Sequence, residues 1–321
     1  MAPDGPIRRL GDQHRSRVGP VFGMSRRKRN NRDIQAWTRY WQTADPSVAG
    51  CLPGLPSKVS AKFEELWSDF FSRLPPGAAV LDLGTGSGTV LRLARSVASG
   101  LKLTGVDYAD VLPSPGQDIR MMSAVRLEDL PFADESFDAV SSQFAFEYAD
   151  QLSAVAELQR VLAPAGTLLI VAHHASSVIV AHNDRRLRVL REITGKGGLI
   201  DQATALIKRG RQQDRSGHIR LSRLLGHLRQ AYPEQGLVND VAGVMAQIMA
   251  EPDALKPLRV LGTELTYEIE RLKALRSAAL TDAQAHALAD RIAATHANVL
   301  SVINVPGEST PLAWSIASPP T

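Results

Sequence analysis

The stretch Val80-Leu81-Asp82-Leu83-Gly84-Thr85-Gly86-Ser87-Gly88 constrains the fold more than any other part of the chain. A short apolar run, Ala79 to Leu83, reads as a buried strand, and helical spacing resumes at once through Val90, Leu93, Ala94 and Val97. A strand that turns on glycines directly into a helix opens an α/β unit, and glycines let a ligand approach the backbone without Cβ clashes. About twenty residues on, a second apolar run, Leu101 to Val106, ends in the acid Asp107. An acid at that place in this architecture binds ribose hydroxyls. The glycines run G-x-G-x-G, whereas the dinucleotide fingerprint is G-x-G-x-x-G. Asp82 at the strand end repels a pyrophosphate and suits a positively charged ligand.

Strand and helix patterns then alternate. Ile119 to Ala124 and Phe137 to Ser142 read as strands, Asp150 to Leu162 as a helix, and Thr167 to Ala172 as a fifth strand. This alternation predicts a parallel sheet covered on both faces. Residues 183–298 are almost wholly helical in pattern, with a capping box at Thr281 and Gln284. Val299 to Val305 and Leu312 to Ala317 read as two strands turned at Pro306 and Gly307. Before the first strand lie a helical stripe, Lys58 to Leu74, a loop broken by Pro53, Gly54 and Pro56, and the aromatic cluster Trp37, Tyr40 and Trp41.

The expected organisation has four parts. They are a disordered basic tail at 1–32, an N-terminal lid and ligand-binding core at 33–182, a helical insertion at 183–298, and a terminal strand pair at 299–321. Much of the net charge of +4 sits in the tail, where Met24 is a candidate start. Cys51 is the sole cysteine, which excludes an intrachain disulfide and a Cys-rich zinc site and points to a cytoplasmic protein. No apolar run reaches the roughly 20 residues of a membrane helix.

Several ordered motifs together resemble the class I S-adenosylmethionine-dependent methyltransferases, especially the small-molecule branch with the ubiquinone/menaquinone C-methyltransferases. They are Val80–Gly88, Asp107, Leu130-Pro131-Phe132 with Ser136-Phe137-Asp138, and Arg160-Val161-Leu162 with Pro164 and Gly166. The resemblance covers about residues 60–172 and the two late strands. It implies a Rossmann-like, doubly wound, seven-stranded α/β sheet with a large helical insertion after the fifth strand. It also implies S-adenosyl-L-methionine as cofactor. Asp82, Gly84, Thr85, Gly86 and Gly88 would line its methionine part, Asp107 would hold the ribose, and Tyr108 would lie by the adenine. Where the family has an adenine-binding Asp this chain has Arg126, leaving Glu128, Asp129 or the backbone N–H of Leu127 to serve. Ser142 and Gln143 would border the methyl group, and the N-terminal aromatics would close over the cofactor.

Methyl transfer needs alignment more than acid–base chemistry, so no triad is expected. Candidate catalytic residues follow the fourth and fifth strands: Glu147 and Tyr148, then His173 and His174, histidine being a side chain able to take a proton. A metal site at His173, His174 and His182 is disfavoured because adjacent side chains diverge. The expected partner is a small-molecule methyl acceptor, and the oligomeric state is left open. The alternatives are an RNA or protein methyltransferase using the basic tail, and a non-catalytic cofactor-binding interaction protein. Against nucleic acid, Ser141 to Phe144 lacks the Asn/Asp-Pro-Pro-Tyr motif of base amino-methylases.

Overall fold

The computed structural model describes residues 26–43, 57–114, 116, 118–210 and 214–319. Its strands are β1 (Ala79–Leu83), β2 (Lys102–Val106), β3 (Ile119–Met122), β4 (Phe137–Gln143), β5 (Leu162–His173), β6 (Val299–Asn304) and β7 (Pro311–Ala317). They form one seven-stranded sheet in the order β3-β2-β1-β4-β5-β7-β6. β1 to β5 pair in parallel, while β7 lies antiparallel between β5 and β6. This is the doubly wound, Rossmann-like sheet expected from the sequence, with the last two strands completing its edge.

Alternation along the strands divides the core. On β5, Leu168, Ile170 and Ala172 face one side, where α4 (Gln151–Val161) contributes Val155 and Leu158. Leu169 and Val171 face the other, with Val59, Phe63, Trp67 and Phe71 of α2 (Ser57–Ser72) and Leu91 of α3 (Thr89–Val97). Arg160 locks the Leu-Pro-Phe segment onto α4. It donates to the carbonyls of Leu130 and Phe132 at 2.9 and 2.6 Å and to Glu157 at 2.8 Å.

After β5 come α5 (Val178–Thr194), α6 (Leu199–Lys208), α7 (Arg215–Ala231), α8 (Leu237–Ala250) and α9 (Leu255–Ala278). They share a separate apolar core that includes Leu190, Leu199, Val241, Leu258 and Leu272. α10 (Asp282–Ala293) does not join them, although the sequence assigned it to the insertion. Its Ala285, Leu288 and Ile292 pack on the sheet beside α4.

The disordered tail expected over 1–32 gives way to helix in part. α1 runs Arg26–Thr43 without a proline or glycine, and Arg, Lys and Gln are good helix formers. The rest of that tail, with Met24, lies outside the described residues, as do Cys51 and the loop through Pro53, Gly54 and Pro56. Among the described residues no helix is long and apolar enough to cross a membrane.

Candidate active site

The chain leaves β1 toward β2 on one side and returns to β4 on the other, so a crevice opens where the order reverses. A cleft of about 440 Å³ occupies that position. Its floor comes from the carboxyl ends of three strands and the turns beyond them: Asp82, Gly84, Thr85 and Ser87 at β1, Asp107 and Tyr108 at β2, and Gln143, Phe144, Glu147 and Tyr148 at β4. Trp37 and Trp41 of α1 and Ala274, Ser277 and Ala278 of α9 also line it.

The glycine turn is forced by what touches it. Gly84 has φ +70°, and a Cβ there would lie 2.1 Å from the Ala145 Cβ. Gly86 has φ +54°, and a Cβ would enter the Trp41 ring at 2.3 Å. The turn thus passes directly beneath α1. Thr85 borders the cleft beside it, whereas Gly88 caps the start of α3 without a side-chain bond.

Two buried carboxylates flank the turn. Asp82 accepts a hydrogen bond from Ser141 Oγ at 2.7 Å. Burial nevertheless raises its pKa from 3.8 to about 7, outweighing the hydrogen bonds from Ser141 and Thr85, and the Asp107 charge adds to the rise. Asp107 accepts from the Gly86 N–H at 2.8 Å on Oδ2 and from the Ala109 N–H at 2.9 Å on Oδ1. Burial raises its pKa too, opposed by these backbone donors. Each of its oxygens keeps an acceptor position free of those bonds, which suits a pair of vicinal hydroxyls.

The far end of the floor is aromatic. Gln143 accepts from Trp67 Nε1 at 2.5 Å and borders the cleft with Phe144. Tyr108 lies under the Arg126 guanidinium, 5.6 Å from ring centre to Cζ. Arg126, Leu127 and Glu128 line the cleft together. Glu128 is engaged elsewhere as well: it accepts from the Asp150 N–H at 2.9 Å and lies 3.4 Å from Arg126. Asp129 is exposed and is not among the lining residues.

The four catalytic candidates separate. Glu147 and Tyr148 lie on a 3₁₀ turn, Phe146–Tyr148, and both line the cleft. His173 is buried behind them, with Nδ1 2.5 Å from Glu147 Oε1. His174 does not join this group. Its ring stacks on Trp314 at 4.5 Å and its Nδ1 accepts from the Ser176 N–H at 3.0 Å. Burial lowers its pKa, which a distant Asp282 only partly offsets. His173 is the last residue of β5 and His174 the first beyond it, paired with Leu280, so the two rings meet different neighbours. Among the described residues no group of three His, Cys, Asp or Glu side chains is placed to hold a metal.

The roof was not foreseen in full. Of the expected lid residues Trp37, Tyr40 and Trp41, the two tryptophans line the cleft and Tyr40 does not, while Ala274, Ser277 and Ala278 were not singled out. Their only sequence signal is small residues at helical spacing, one of many such sets in an alanine-rich region. α1 is held on α9 by the Arg39–Glu264 ion pair and by Arg271 over the Tyr40 ring at 4.5 Å. Thr38 Oγ1 accepts from the Asp110 N–H at 2.9 Å, fixing α1 to the loop after β2 as well.

The lining fits an adenosyl sulfonium. Among the described lining residues Asp82, Asp107, Glu128 and Glu147 are acidic and Arg126 is basic, a balance that favours a ligand of net positive charge. Asp107 presents its acceptors beside the glycine turn, where a ribose would lie.

Comparison with known proteins agrees. Residues 81–170 match the family described as "Methyltransferase domain". The chain is 37% identical over 101 residues to the demethylmenaquinone methyltransferase of Thermus thermophilus, covering 29% of this chain and 46% of that protein. It is 28% identical over 142 residues to the ubiquinone/menaquinone biosynthesis C-methyltransferase UbiE of Geotalea daltonii, covering 40% and 60%. It is 35% identical over 101 residues to the malonyl-[acyl-carrier protein] O-methyltransferase of Methylococcus capsulatus, covering 29% and 37%. The chain thus spans about half the length of the curated relatives it matches. Over residues 81–170 the chain is thus similar to methyltransferases, the reading its motifs suggested.

Proposed function

We propose that this protein transfers a methyl group from S-adenosylmethionine to a flat, largely apolar small molecule. The observation that carries the reading is the pair of buried carboxylates, Asp82 and Asp107, on either side of the glycine turn at the switch point of the sheet. In this reading Asp107 accepts from the ribose hydroxyls. Asp82 offsets the positive charge of the methionine part, and Tyr108 and Leu127 flank the adenine. Arg126 takes the place of an acidic partner at the adenine edge. When bound, the cofactor supplies a methyl group already activated by its sulfonium.

The acceptor would lie between Tyr148 and Ala149 of the floor and Trp37, Ala274, Ser277 and Ala278 of the roof. Aromatic faces opposed to small residues make a slot for a ring. Holding the acceptor in line with the methyl group supplies much of the rate, up to about 7–11 kcal/mol in favourable intramolecular systems. Three of the relatives take their names from quinone or carrier-bound acceptors. A quinol, the reduced form of such a quinone, is therefore the first acceptor to try. The roof formed by α1 and α9 supports a small molecule over an RNA or protein substrate.

Calorimetric titration with S-adenosylmethionine and with S-adenosylhomocysteine tests the cofactor half. The folded protein binds both, and Asp107→Ala weakens binding at least about tenfold, as loss of hydrogen bonds to a buried carboxylate implies. Absence of heat with either compound ends the proposal, and near-normal binding in the variant removes Asp107 from it.

A further inference from the structure

Gln143 ends β4, lines the cleft and is only partly buried. Its amide has two unlike ends, a carbonyl that accepts and an NH2 that donates. Which end faces the cleft is fixed from behind. Trp67 of α2 is buried, and its indole N–H donates to Gln143 Oε1 at 2.5 Å. An indole nitrogen can only donate, so it holds the carbonyl end. Trp67 packs on the rings of Phe70 and Phe71, with centres 6.0 and 5.8 Å away, which keeps that donor in place. The backbone beside the amide is fixed as well. Phe144 has φ +55°, a left-handed conformation strained for a residue with a Cβ, and its N–H donates to the Val171 carbonyl at 2.7 Å.

The NH2 end is thereby left to the cleft. Among the described residues no group accepts a hydrogen bond from Gln143 Nε2. A ligand that fills the cleft strips solvent from this end, and its N–H groups then need an acceptor. At this end of the floor no base is within a ligand's reach. The Glu147 and His173 side chains expose no surface, and the His174 ring stacks on Trp314 away from the lining. An acidic ligand therefore arrives with its proton already lost to solvent, and a donor held in place favours that charged form.

We propose that Gln143 sets the acceptor specificity of the site. Its NH2 receives an oxygen lone pair of the acceptor beside the transferred methyl group, the acceptor binds as its oxyanion, and Trp67 is the positioning residue of the amide. This rests on the reading of the cleft as a methyl-transfer site. The acceptor's proton goes to water before binding. The electron pair on oxygen, or on a ring carbon conjugated with it, forms the bond to the methyl carbon. The C–S pair passes to sulfur, leaving a neutral thioether. Where carbon is methylated, the hydrogen on that carbon then leaves to water as H⁺ and conjugation returns. An anionic oxygen has lone pairs enough to meet Gln143 and the methyl carbon together. An amine that turned its single lone pair to Gln143 would have none for the methyl carbon, so amines are turned away.

The test uses the full chain, methyl-labelled S-adenosylmethionine, demethylmenaquinol as one acceptor probe and a total small-molecule extract as a second. Gln143→Leu is expected to lower kcat/KM about 10- to 100-fold, the worth of a hydrogen bond to a charged group. Affinity for S-adenosylhomocysteine should stay within about twofold of the parent, which also certifies folding. Gln143→Glu keeps the shape and the bond from Trp67 but turns an acceptor toward the cleft, so it should lose more than Gln143→Leu. A merely structural role reverses that order. Trp67→Phe keeps a ring in place and frees the amide to turn, and should raise KM more than it lowers kcat. The pKa of the bound acceptor, read in the pH profile of kcat, should rise by about one unit or more in Gln143→Leu. The proposal falls if Gln143→Glu outperforms Gln143→Leu, or if Gln143→Leu keeps kcat/KM within about threefold. It falls too if Gln143→Leu weakens S-adenosylhomocysteine by a comparable factor, which gives the amide to the cofactor. A labelled product methylated on an amine overturns it, as does the absence of turnover on both probes by protein that binds the cofactor. Failure to bind the cofactor at all instead overturns the reading beneath it.

Discussion

If Asp82 faces the cofactor as proposed, affinity should depend on pH. Its carboxyl titrates at about 7 in the free protein because it is buried, with only Ser141 and Thr85 as hydrogen-bond donors. A cation bound beside it favours the ionised form and pulls the pKa back toward the usual carboxylate range. Binding then releases a proton wherever the free carboxyl is still protonated. The ionised fraction of a group with pKa about 7 falls about tenfold per pH unit once pH is well below 7. Between pH 8 and pH 5 the affinity for S-adenosylmethionine should therefore drop by nearly two powers of ten, about 2–3 kcal/mol. S-adenosylhomocysteine keeps the ammonium but lacks the sulfonium charge, so its dependence should be shallower. Calorimetry in two buffers of different ionisation enthalpy reads both the affinity and the proton count. Asp82→Asn should flatten the curve and hold affinity near its low-pH value. An affinity for S-adenosylmethionine unchanged from pH 5.5 to pH 8 in the parent would refute the coupling between this carboxylate and a cationic ligand.

The same carboxyl has a stability consequence of opposite direction. Its folded pKa lies above the unfolded value of 3.8, so its contribution is fully present at low pH and is lost as pH rises toward 7. Ligand-free Asp82→Asn should therefore melt higher than the parent at pH 8, and a lower melting temperature would contradict the burial cost assigned to Asp82. Gly86→Ala places a methyl group in the Trp41 ring at a positive φ, and should destabilise the protein by about 1–3 kcal/mol in a denaturant titration. Arg160→Ala frees the Leu130 and Phe132 carbonyls and should lose a similar amount, about 1–3 kcal/mol, with cofactor affinity altered far less. Ala278→Leu narrows the slot and should raise KM for the acceptor while leaving S-adenosylhomocysteine affinity within about twofold, measured by initial rates and calorimetry.

What the sequence disclosed was local. The strand, glycine turn and helix from Val80 to Val97 follow from hydrophobic period and glycine spacing within a single window, and Asp107 from its distance along the chain. The Leu-Pro-Phe segment and Arg160 were legible as motifs, but their contact became visible only when folding brought α4 over the loop. The antiparallel insertion of β7 between β5 and β6 has no signature in either strand, since pairing partners are set by the whole sheet. Only the first turns of α1, residues 26–32, were read as tail because of their charge; the aromatic residues that follow were read as a lid, and Tyr40 among them meets Arg271 of α9 more than 200 residues away. His173 and His174 looked equivalent in composition, and the end of β5 between them gave them different neighbours. The placement of Ala274, Ser277 and Ala278 over the cleft depends on how α9 crosses the mouth, which no single window records.

The helical excursion between β5 and α10 leaves and returns at almost the same point. The Leu280 N–H donates to the His173 carbonyl at 2.8 Å, and the Ala175 N–H donates to the Leu280 carbonyl at 2.9 Å. More than a hundred residues thus leave and return beside two backbone hydrogen bonds at the rim of the sheet, while α5 packs on the sheet and α9 on α1. A segment whose ends meet can be exchanged for another of different length with little disturbance to its host. The sheet therefore acts as a socket for a detachable cap. Grafting a different cap between Ala175 and Leu280 offers a route to a new acceptor, provided the graft keeps the face of α9 that holds α1 over the glycine turn.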